Sequence, residues 1–325
     1  MLLTTTIVES ATSLSLLLRS FAETNKQKMK IVVTGSLGHI SKPLTEALVQ
    51  KGHSVTVISS KPGKQKDIEV LRATAAIGSL EDVHFLTSAF TGADAVYCMI
   101  PPPDLFNHNL DYLAYCRNIA NNYAEAIQQS GVKRVVHLSS VGAHFDKGTG
   151  FILSHHYMEN RLAALPDVAI THMRPTSFYY NLFGFVDTIK NTGNIVSTYG
   201  ATDRVSWVSP IDIAAAVAEE IVTPLAGRKV QYVASDELTC HEVAGILGAA
   251  IGKPDLKWVL ITSEQMQHHL ELAGMAPTSA AGLVELNTSM HNGKLFQNYY
   301  LNKPRVMGSV KMTDFAKEFA AAFIH

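Results

Sequence analysis

The chain has 325 residues, of which 47% are apolar and 17% are charged, and its formal net charge is -1. This composition is typical of a globular protein with a sizeable core, and it lacks the basic excess that favours binding to nucleic acid or to an anionic membrane. We therefore expect a small-molecule substrate, and no nucleic acid or membrane partner. The cysteines Cys98, Cys116 and Cys240 are too few for a disulfide framework, which predicts a reducing, cytoplasmic location.

Residues 1–28 are predicted to be an N-terminal extension that is weakly ordered. Their apolar stretch, residues 14–18, is too short to span a membrane. The basic residues follow this stretch, whereas a signal peptide has them before it. Met29 stands directly before the first predicted strand, so an upstream start wrongly assigned is an equally good interpretation of the extension.

From residue 30 onward, apolar β-branched runs alternate with helical stretches. A strand is predicted over 31–34, a helix up to 51 and a second strand over 54–59, which together make a βαβ unit. Further strands are predicted over 93–100, 134–139, 169–173 and 230–234, and further helices over 109–130 and 210–222. Strands that read as continuous apolar runs are typical of a parallel sheet covered on both faces.

The predicted fold is therefore α/β: a Rossmann-type doubly wound parallel sheet with a smaller, mainly helical C-terminal substrate lobe. The dinucleotide-binding core is expected over residues 29–175 and the substrate or lid lobe over 176–325. Amphipathic helices are predicted over 240–251, 263–273, 280–292 and 313–323. A segment at 229–235 has the pattern of a strand that could return to the main sheet.

The sequence TGSLGHIS at 34–41 places two glycines between a strand and a helix. Such a turn can bring backbone N–H groups and a helix N-terminus onto a pyrophosphate, and the small Ser41 stands where a third glycine is usual. An ordinary tight turn is the alternative interpretation. The residues predicted to bind the cofactor here are Gly35, Ser36, Leu37, Gly38, His39 and Ile40.

The end of the second predicted strand indicates which dinucleotide is preferred. An NAD-preferring site usually has an acidic residue here for the ribose hydroxyls, but this chain has Ser59, Ser60 and Lys61, with Lys64 shortly after. Hydroxyl groups and lysines can neutralise a 2′-phosphate, so NADP(H) is predicted over NAD(H). A solvated loop that carries two lysines is the alternative.

Several further stretches resemble the NmrA-like family of atypical short-chain dehydrogenases/reductases. They are IGSLED, GADAVYCMIPP, GVKRVVHLSSVGAH, MRPTSFYYNL, VSPIDIAAAVAE and YVASDELTCHEVA, and they extend the resemblance over nearly the whole chain after residue 29. The resemblance implies an NAD(P)-binding Rossmann fold. It also implies that Ser79 and Leu80 contact the adenine, and that Ile100 and Pro101 contact the ribose and nicotinamide. Ser139 and Ser140 are then expected at a strand end beside the reactive ring, and Phe178 and Asn181 on the substrate side.

The chain departs from this family at the catalytic helix. Catalytic members of the wider family use Tyr-x-x-x-Lys, in which the tyrosine donates a proton. An alignment on Glu159 puts Phe151 at the tyrosine position and His155 at the lysine position, where His155 could contact the cofactor. A second register pairs Tyr157 with Arg161. His155 and Tyr157 are therefore the two candidate catalytic residues.

Other motifs give weaker or negative indications. Asp212 in PIDIA is predicted to be a structural helix cap rather than a catalytic acid. His268, His269 and His291 lack metal-ligand spacing, so no metal site is predicted, and there is no GxSxG sequence of a hydrolase.

The predicted function is hydride transfer from NADPH to a quinone or small carbonyl compound, with an aromatic substrate pocket that includes Trp207. A regulatory protein that senses NADP(H) and binds a protein partner without turnover is the main alternative, because the Tyr-x-x-x-Lys pair is missing. An isomerase or epimerase is the weaker alternative, because it would require that pair.

Overall fold

A computed structural model describes residues 28–102 and 104–324. The predicted N-terminal extension, apart from Lys28, lies outside the described residues. In these ranges the chain forms a seven-stranded sheet, a three-stranded sheet and a two-stranded sheet, joined and covered by helices.

The seven-stranded main sheet is entirely parallel and has the order β10-β6-β5-β4-β1-β2-β3. Its strands are β1 (Lys30–Val33), β2 (Ser54–Ser59), β3 (Thr74–Ile77), β4 (Ala95–Met99), β5 (Arg134–Leu138), β6 (Ala169–Pro175) and β10 (Arg228–Val233). The order reverses between β1 and β4, and in doubly wound sheets ligands bind outside the carboxyl ends of the strands at such a point. The Rossmann-type α/β fold predicted from the sequence is thus confirmed.

Helices cover both faces of the main sheet. On one face, α1 (Ser41–Gln50) and α7 (Pro210–Glu220) bury Leu44, Leu48 and Val217 against the strands. The opposite face is covered by α3 (Val83–Phe90), α4 (Tyr112–Ser130) and α5 (Leu153–Ala163), which bury Phe90 and Ile127 among other residues. The short helix α2 (Gln65–Val70) links β2 to β3.

The rest of the chain contains more β-structure than the sequence pattern indicated. Strand β9 (Arg204–Val208) lies between β7 (Ser177–Phe178) and β11 (Asp236–Thr239), and β8 (Asn194–Ser197) pairs with β12 (Lys257–Leu260). These strands are only two to five residues long, which is too short for an alternation of apolar and polar residues to be recognised in the sequence. The helices here are α6 (Val186–Thr192), α8 (Cys240–Ala250), α9 (Ser263–Leu272), α10 (Pro277–His291), α11 (Gln297–Leu301) and α12 (Met312–Ile324).

Strand β10 belongs to the main sheet although it comes late in the chain. It pairs in parallel with β6 from Arg228 opposite Ile170 to Val233 opposite Pro175. This pairing makes β10 the edge strand of the main sheet, and it ties the C-terminal half of the chain to the nucleotide-binding half.

Candidate functional site

The turn between β1 and α1 has a backbone that requires glycine. Gly35 has a φ of +90°, and a Cβ atom there would lie 2.7 Å from the Ser41 hydroxyl oxygen and 3.1 Å from Met99. Ser41 donates a hydrogen bond to the Thr34 carbonyl at 2.8 Å. Serine at the third position of the motif therefore closes the turn, and the backbone of β1 approaches α1 closely.

The N-terminus of α1 has no side-chain cap. Its N-cap residue is Ile40, no side chain accepts a hydrogen bond there and no acidic residue stands in the first turn. By contrast, α4 is capped by Asp111 and α8 by a capping box that joins Thr239 and Glu242. Uncapped N–H groups at a helix N-terminus, together with the helix dipole, favour an anion. In this first turn the Lys42 N–H donates to the Gly38 carbonyl at 3.0 Å and Pro43 has no N–H, so the attraction for an anion comes mainly from the helix dipole. The exposed Gly38 keeps the approach to the helix N-terminus open.

The end of β2 lies directly beside this turn. Ser36 donates a hydrogen bond from its hydroxyl to the Ser59 hydroxyl at 2.9 Å, and the Lys61 N–H donates to the same oxygen at 3.2 Å. Ser59 is buried and shapes the loop, whereas Ser60 and Lys61 are exposed. No carboxylate pairs with Lys61 within the part of the chain that the structure describes.

The second lysine of this loop is already paired. Lys64 lies 2.9 Å from the Asp67 carboxylate, with both side chains about half exposed. The two lysines that the sequence analysis treated together therefore differ: Lys64 has a carboxylate partner, whereas Lys61 has none among the described residues.

The ends of β3 and β4 complete the cofactor edge. The Gly78 N–H donates to the Ser59 carbonyl at 3.0 Å, which brings the following Ser79 and Leu80 next to the end of β2. The Met99 N–H donates to the Thr34 hydroxyl at 3.1 Å, which brings the segment after β4 beside the glycine turn. The next residues, Ile100 and Pro101, are buried and half-buried respectively.

Ser139 directly follows β5 and is part of a buried ion-pair network. Its hydroxyl donates to the Glu159 carboxylate at 2.5 Å, and Arg174 donates to the same carboxylate with two nitrogens, at 2.8 Å and 2.5 Å. Burial alone would raise the pKa of Glu159, but hydrogen bonds from Arg174 lower the pKa below its usual value. An ionised carboxylate accepts only, so the Ser139 proton is committed to Glu159. The neighbouring Ser140 accepts the Ala143 N–H through its carbonyl oxygen at 3.2 Å.

Phe151 occupies a closely packed position. Its ring meets Tyr112 edge-on with centroids 5.3 Å apart, and on the other side a Cβ at Gly282 of α10 would lie 2.9 Å from the Phe151 ring. The adjacent Gly150 N–H donates to the Glu285 carboxylate at 3.0 Å. The position at which the wider family has its proton donor is thus apolar and covered by α10.

His155 belongs to a group of three histidines under the main sheet. Its ring centroid is 6.1 Å from that of His137, and the Nδ1 atoms of His137 and His172 are 3.1 Å apart. Burial lowers the pKa of His155 to about 4, and burial also lowers the pKa of His137 and His172. All three rings are therefore neutral at neutral pH, and His155 cannot supply the charge of the usual lysine.

The alternative pair, Tyr157 and Arg161, faces a different surface. The guanidinium of Arg117 on α4 lies over the Tyr157 ring at 5.0 Å, and the Arg161 Nε donates to the Asn121 side chain at 2.9 Å. Both candidate residues therefore contact α4, and the structure does not bring them to Ser139.

The residues predicted for the substrate side are not all brought together. Phe178 packs against Tyr180 at 5.1 Å between centroids, and Tyr180 stacks on His39 of the glycine turn at 4.9 Å. Asn181 is exposed in the turn that follows. Trp207 is 1% exposed and lies in the core of the C-terminal half.

A comparison with known families assigns the chain. Residues 35–224 match the sequence model of a family described as NAD(P)H-binding. The chain belongs to the NAD(P)H-binding family. A search of curated proteins found no significant match.

Solved structures have the same fold at low sequence identity. An NADPH-dependent quinone oxidoreductase from Escherichia coli, complexed with NADPH, is 19% identical with a TM-score of 0.75, over 89% of this chain and 99% of that chain. A triphenylmethane reductase from Citrobacter sp. is 18% identical with a TM-score of 0.72, over 90% and 99%. A nucleoside-diphosphate-sugar epimerase from Staphylococcus aureus is 16% identical with a TM-score of 0.72, over 89% and 100%.

The residues of the cofactor edge fit a dinucleotide. Residue 35 must be glycine because of its positive φ, and the first turn of α1 has no side-chain cap; both features are typical of a turn that binds a pyrophosphate. No helix among the described residues is long and apolar enough to cross a membrane.

Asp212 has a structural role, but it is not the helix cap that the sequence analysis predicted. Ser209 caps α7, accepting the Ile211 N–H at 3.2 Å. The Asp212 carboxylate instead accepts the Ser235 hydroxyl at 2.7 Å and the backbone N–H groups of Ser309 and Val310 at 3.0 and 3.1 Å. It therefore anchors the segment before α12 against the main sheet.

Residues 159 and 174 are the main site residues that the sequence analysis did not assign. Glu159 served only to align the helix, and Arg174 was part of a family motif. Arg174 stands in a mainly apolar strand, which is a signal for a buried ion pair, but Glu159 lies in a polar helix, and the sequence alone does not show that the two meet at Ser139.

Proposed function

We propose that the chain is an oxidoreductase that transfers hydride from NADPH to a quinone or small carbonyl compound. The observation that carries the proposal is the cofactor edge, where a turn that requires glycine, an uncapped helix N-terminus and the unpaired Lys61 meet without an acidic residue at the end of β2. The NADPH-dependent quinone oxidoreductase and the triphenylmethane reductase with the same fold support it.

In this proposal the pyrophosphate lies on the turn from Gly35 to Ile40, and the 2′-phosphate lies near Ser60 and Lys61. Ser59 holds this loop in shape through its bonds to Ser36 and to the Lys61 backbone. The other proposed cofactor contacts are Ser79, Leu80, Ile100, Pro101, Ser139, Ser140 and His155. When bound, the nicotinamide ring supplies the hydride.

The residues around the proposed reaction centre leave few proton donors. The Ser139 hydroxyl donates its hydrogen bond to Glu159, Phe151 has no acidic proton and the His155 ring is uncharged. An acceptor that needs no strong acid, such as a quinone, therefore suits the site better than a simple ketone or aldehyde, whose reduction requires protonation of an alkoxide. The aromatic residues Phe178 and Tyr180 would pack against the planar acceptor.

An NADPH-oxidation screen tests this function. Purified protein is mixed with NADPH and quinones, aldehydes or imines, and loss of NADPH absorbance is followed. We expect turnover with quinones and much slower turnover with aldehydes. Fast reduction of aldehydes with quinones inert would contradict the argument about proton donors.

The second candidate function is a NADP(H)-sensing protein that does not turn over and that binds a protein partner. It is favoured by Phe151, whose position is covered by α10 through the contact with Gly282. Tight NADPH binding with no oxidation by any acceptor in the screen would support this function over the first. An epimerase is a weaker candidate, despite the epimerase with the same fold, because the tyrosine and lysine that it would need are absent.

A further inference from the structure

A cavity of about 800 Å³ lies at the outer edge of the main sheet, away from the proposed cofactor site. It is bounded by the edge strand β10, by α7 and by the segment 302–309. The strands β6, β5 and β4 separate β10 from β1, so this cavity and the glycine turn lie at different parts of the sheet. A volume of this size accommodates an organic molecule of ordinary metabolite size.

Basic and amide groups dominate the polar lining of the cavity. Arg174, Lys303 and Arg305 line it, as do the side chains of Gln231 and Asn298. Arg174 is held by its buried ion pair, and Lys303 is paired with Glu237 at 2.7 Å. Arg305 is exposed, and no carboxylate within the described ranges pairs with it.

The two acidic residues of the lining differ in whether protein groups donate hydrogen bonds to their carboxylates. Asp212 already accepts hydrogen bonds from Ser235, Ser309 and Val310, so its charge is met by protein donors. Glu219 is exposed at the rim. An anionic group beside Arg305 is therefore favoured, and Glu219 opposes it weakly across solvent.

The rest of the lining gives the cavity an apolar wall. Val306 is 83% exposed and Val230 is 44% exposed, and both line the cavity together with Ala215 and Ala216. A ligand with an apolar body would remove these valine side chains from water, which is favourable in proportion to the area covered.

A chain of hydrogen bonds connects this cavity to Ser139. The Asn298 side chain accepts the Tyr232 hydroxyl at 2.6 Å, and that hydroxyl accepts from Arg174 at 3.2 Å. Arg174 in turn holds Glu159, to which Ser139 donates. Asn298, Tyr232 and Arg174 all line the cavity, so a ligand there would contact one end of the chain.

We propose that this cavity binds a small organic anion with an apolar body, and that its occupancy is transmitted to Ser139 through Tyr232, Arg174 and Glu159. The ligand is then an effector of the cofactor site rather than a substrate. Its acidic group lies beside Arg305 and its apolar body against Val230 and Val306. Because each link of the chain is a hydrogen bond to a charged or phenolic group, a shift at Asn298 changes the position of the Glu159 carboxylate.

The first test measures binding with anilinonaphthalene sulfonate, a fluorescent anion with an apolar body. Saturating NADP⁺ is present so that the probe cannot occupy the nucleotide site. Arg305→Ala should weaken probe binding by about tenfold, the effect of losing a charge-assisted hydrogen bond. Val306→Ser should weaken it by about threefold through lost apolar contact. Glu219→Gln should leave binding equal or tighter.

Lys51→Ala, which removes an exposed cation that follows α1 and does not line the cavity, is the control and should bind the probe as the wild type does. Thermal melting shows that each variant is folded. The site would be overturned if the wild type did not bind the probe, or if Arg305→Ala and Val306→Ser bound it as tightly as the wild type does.

The second test measures transmission. Calorimetric titration with NADP⁺ is run with and without saturating probe, and the probe should change the dissociation constant of NADP⁺ by about fivefold or more. Tyr232→Phe removes the hydroxyl that joins Arg174 to Asn298. In Tyr232→Phe, the NADP⁺ dissociation constants measured with and without saturating probe should be equal, whatever the affinity of this variant for either ligand alone. An unchanged NADP⁺ affinity in the wild type, or the same change in Tyr232→Phe, would overturn transmission through this chain.

Discussion

The two ends of the proposed cofactor cleft are built on different principles. At the β1–α1 turn, the helix N-terminus has no side-chain cap, and side chains such as Ser41 and Ser59 are hydrogen-bonded to the protein so that the turn keeps its shape. At the start of α5, Phe151 packs against the Tyr112 ring, and the buried His155 ring is neutral because burial lowers the pKa of His155. The first end has what a phosphate requires, and the second has lost what proton transfer requires. Binding and chemistry can therefore change independently on this fold.

The largest expected effect is at the turn. Gly38→Val should weaken NADPH binding by about a hundredfold or more while the protein stays folded, because the branched side chain occupies the space of the pyrophosphate. Gly35→Val should do the same, with some loss of stability from its φ of +90° and its contact with Ser41. Calorimetric titration measures both.

Gly63→Ala is the matched control, since Gly63 lies in the neighbouring loop and an added Cβ meets no atom within 4 Å. Retained NADPH affinity in both valine variants would show that the phosphates do not lie on this turn.

The histidine group at the other end predicts a pH effect on stability. Burial lowers the pKa of His137, His155 and His172, so the unfolded chain binds protons that the folded chain does not. The free energy of unfolding should have its full value above about pH 6.5 and should decrease as the pH falls toward about pH 4. Each histidine should contribute a loss of about 1.4 kcal/mol for each unit by which its pKa is lowered on folding. Urea unfolding at several pH values measures this.

His155→Gln removes one titrating group of the three, so its unfolding free energy should depend less steeply on pH than that of the wild type. An equal slope in the two proteins would show that His155 is not held neutral.

A substitution in the loop after β2 should weaken NADPH binding less than the glycine substitutions do, and it tests which part of the cofactor lies there. Lys61→Ala should weaken NADPH binding by roughly 1 to 3 kcal/mol and leave NADH binding unchanged, because only NADPH has the 2′-phosphate. Lys64→Ala is the control, because Lys64 is already paired with Asp67. If Lys61→Ala binds NADPH as tightly as Lys64→Ala and the wild type do, the loop does not select the cofactor.

The smallest expected effect is at the alternative catalytic pair. Tyr157→Phe should change turnover little, because Tyr157 lies against Arg117 and faces away from Ser139. His155→Ala should mainly weaken cofactor binding. A loss of about a hundredfold in the turnover of Tyr157→Phe, with His155→Ala nearly silent, would establish the second register.

The same contrast explains what could be predicted from the sequence. The glycine turn and the βαβ alternation are local patterns, so the Rossmann fold and the position of β2 followed from them. The short strands β8, β9, β11 and β12 depend on pairing between distant segments, which no local period reveals. The meeting of Glu159, Arg174 and Ser139, and the burial of Trp207, are likewise products of packing.

The paired state of Lys64 shows the same limit of local patterns at the site. Its basic charge is visible in the sequence, but the ion pair with Asp67 depends on how the loop enters α2. Charge at the right position in the sequence is therefore necessary but not sufficient for a phosphate contact.

Calorimetric titration of the wild-type protein with NADPH and with NADH tests the central claim most directly. We expect both dinucleotides to bind and NADPH to bind more tightly, since Lys61 and the neighbouring Ser60 hydroxyl would contact a phosphate that NADH lacks. Equal affinity for the two, or tighter binding of NADH, would contradict the proposed NADPH-dependent function.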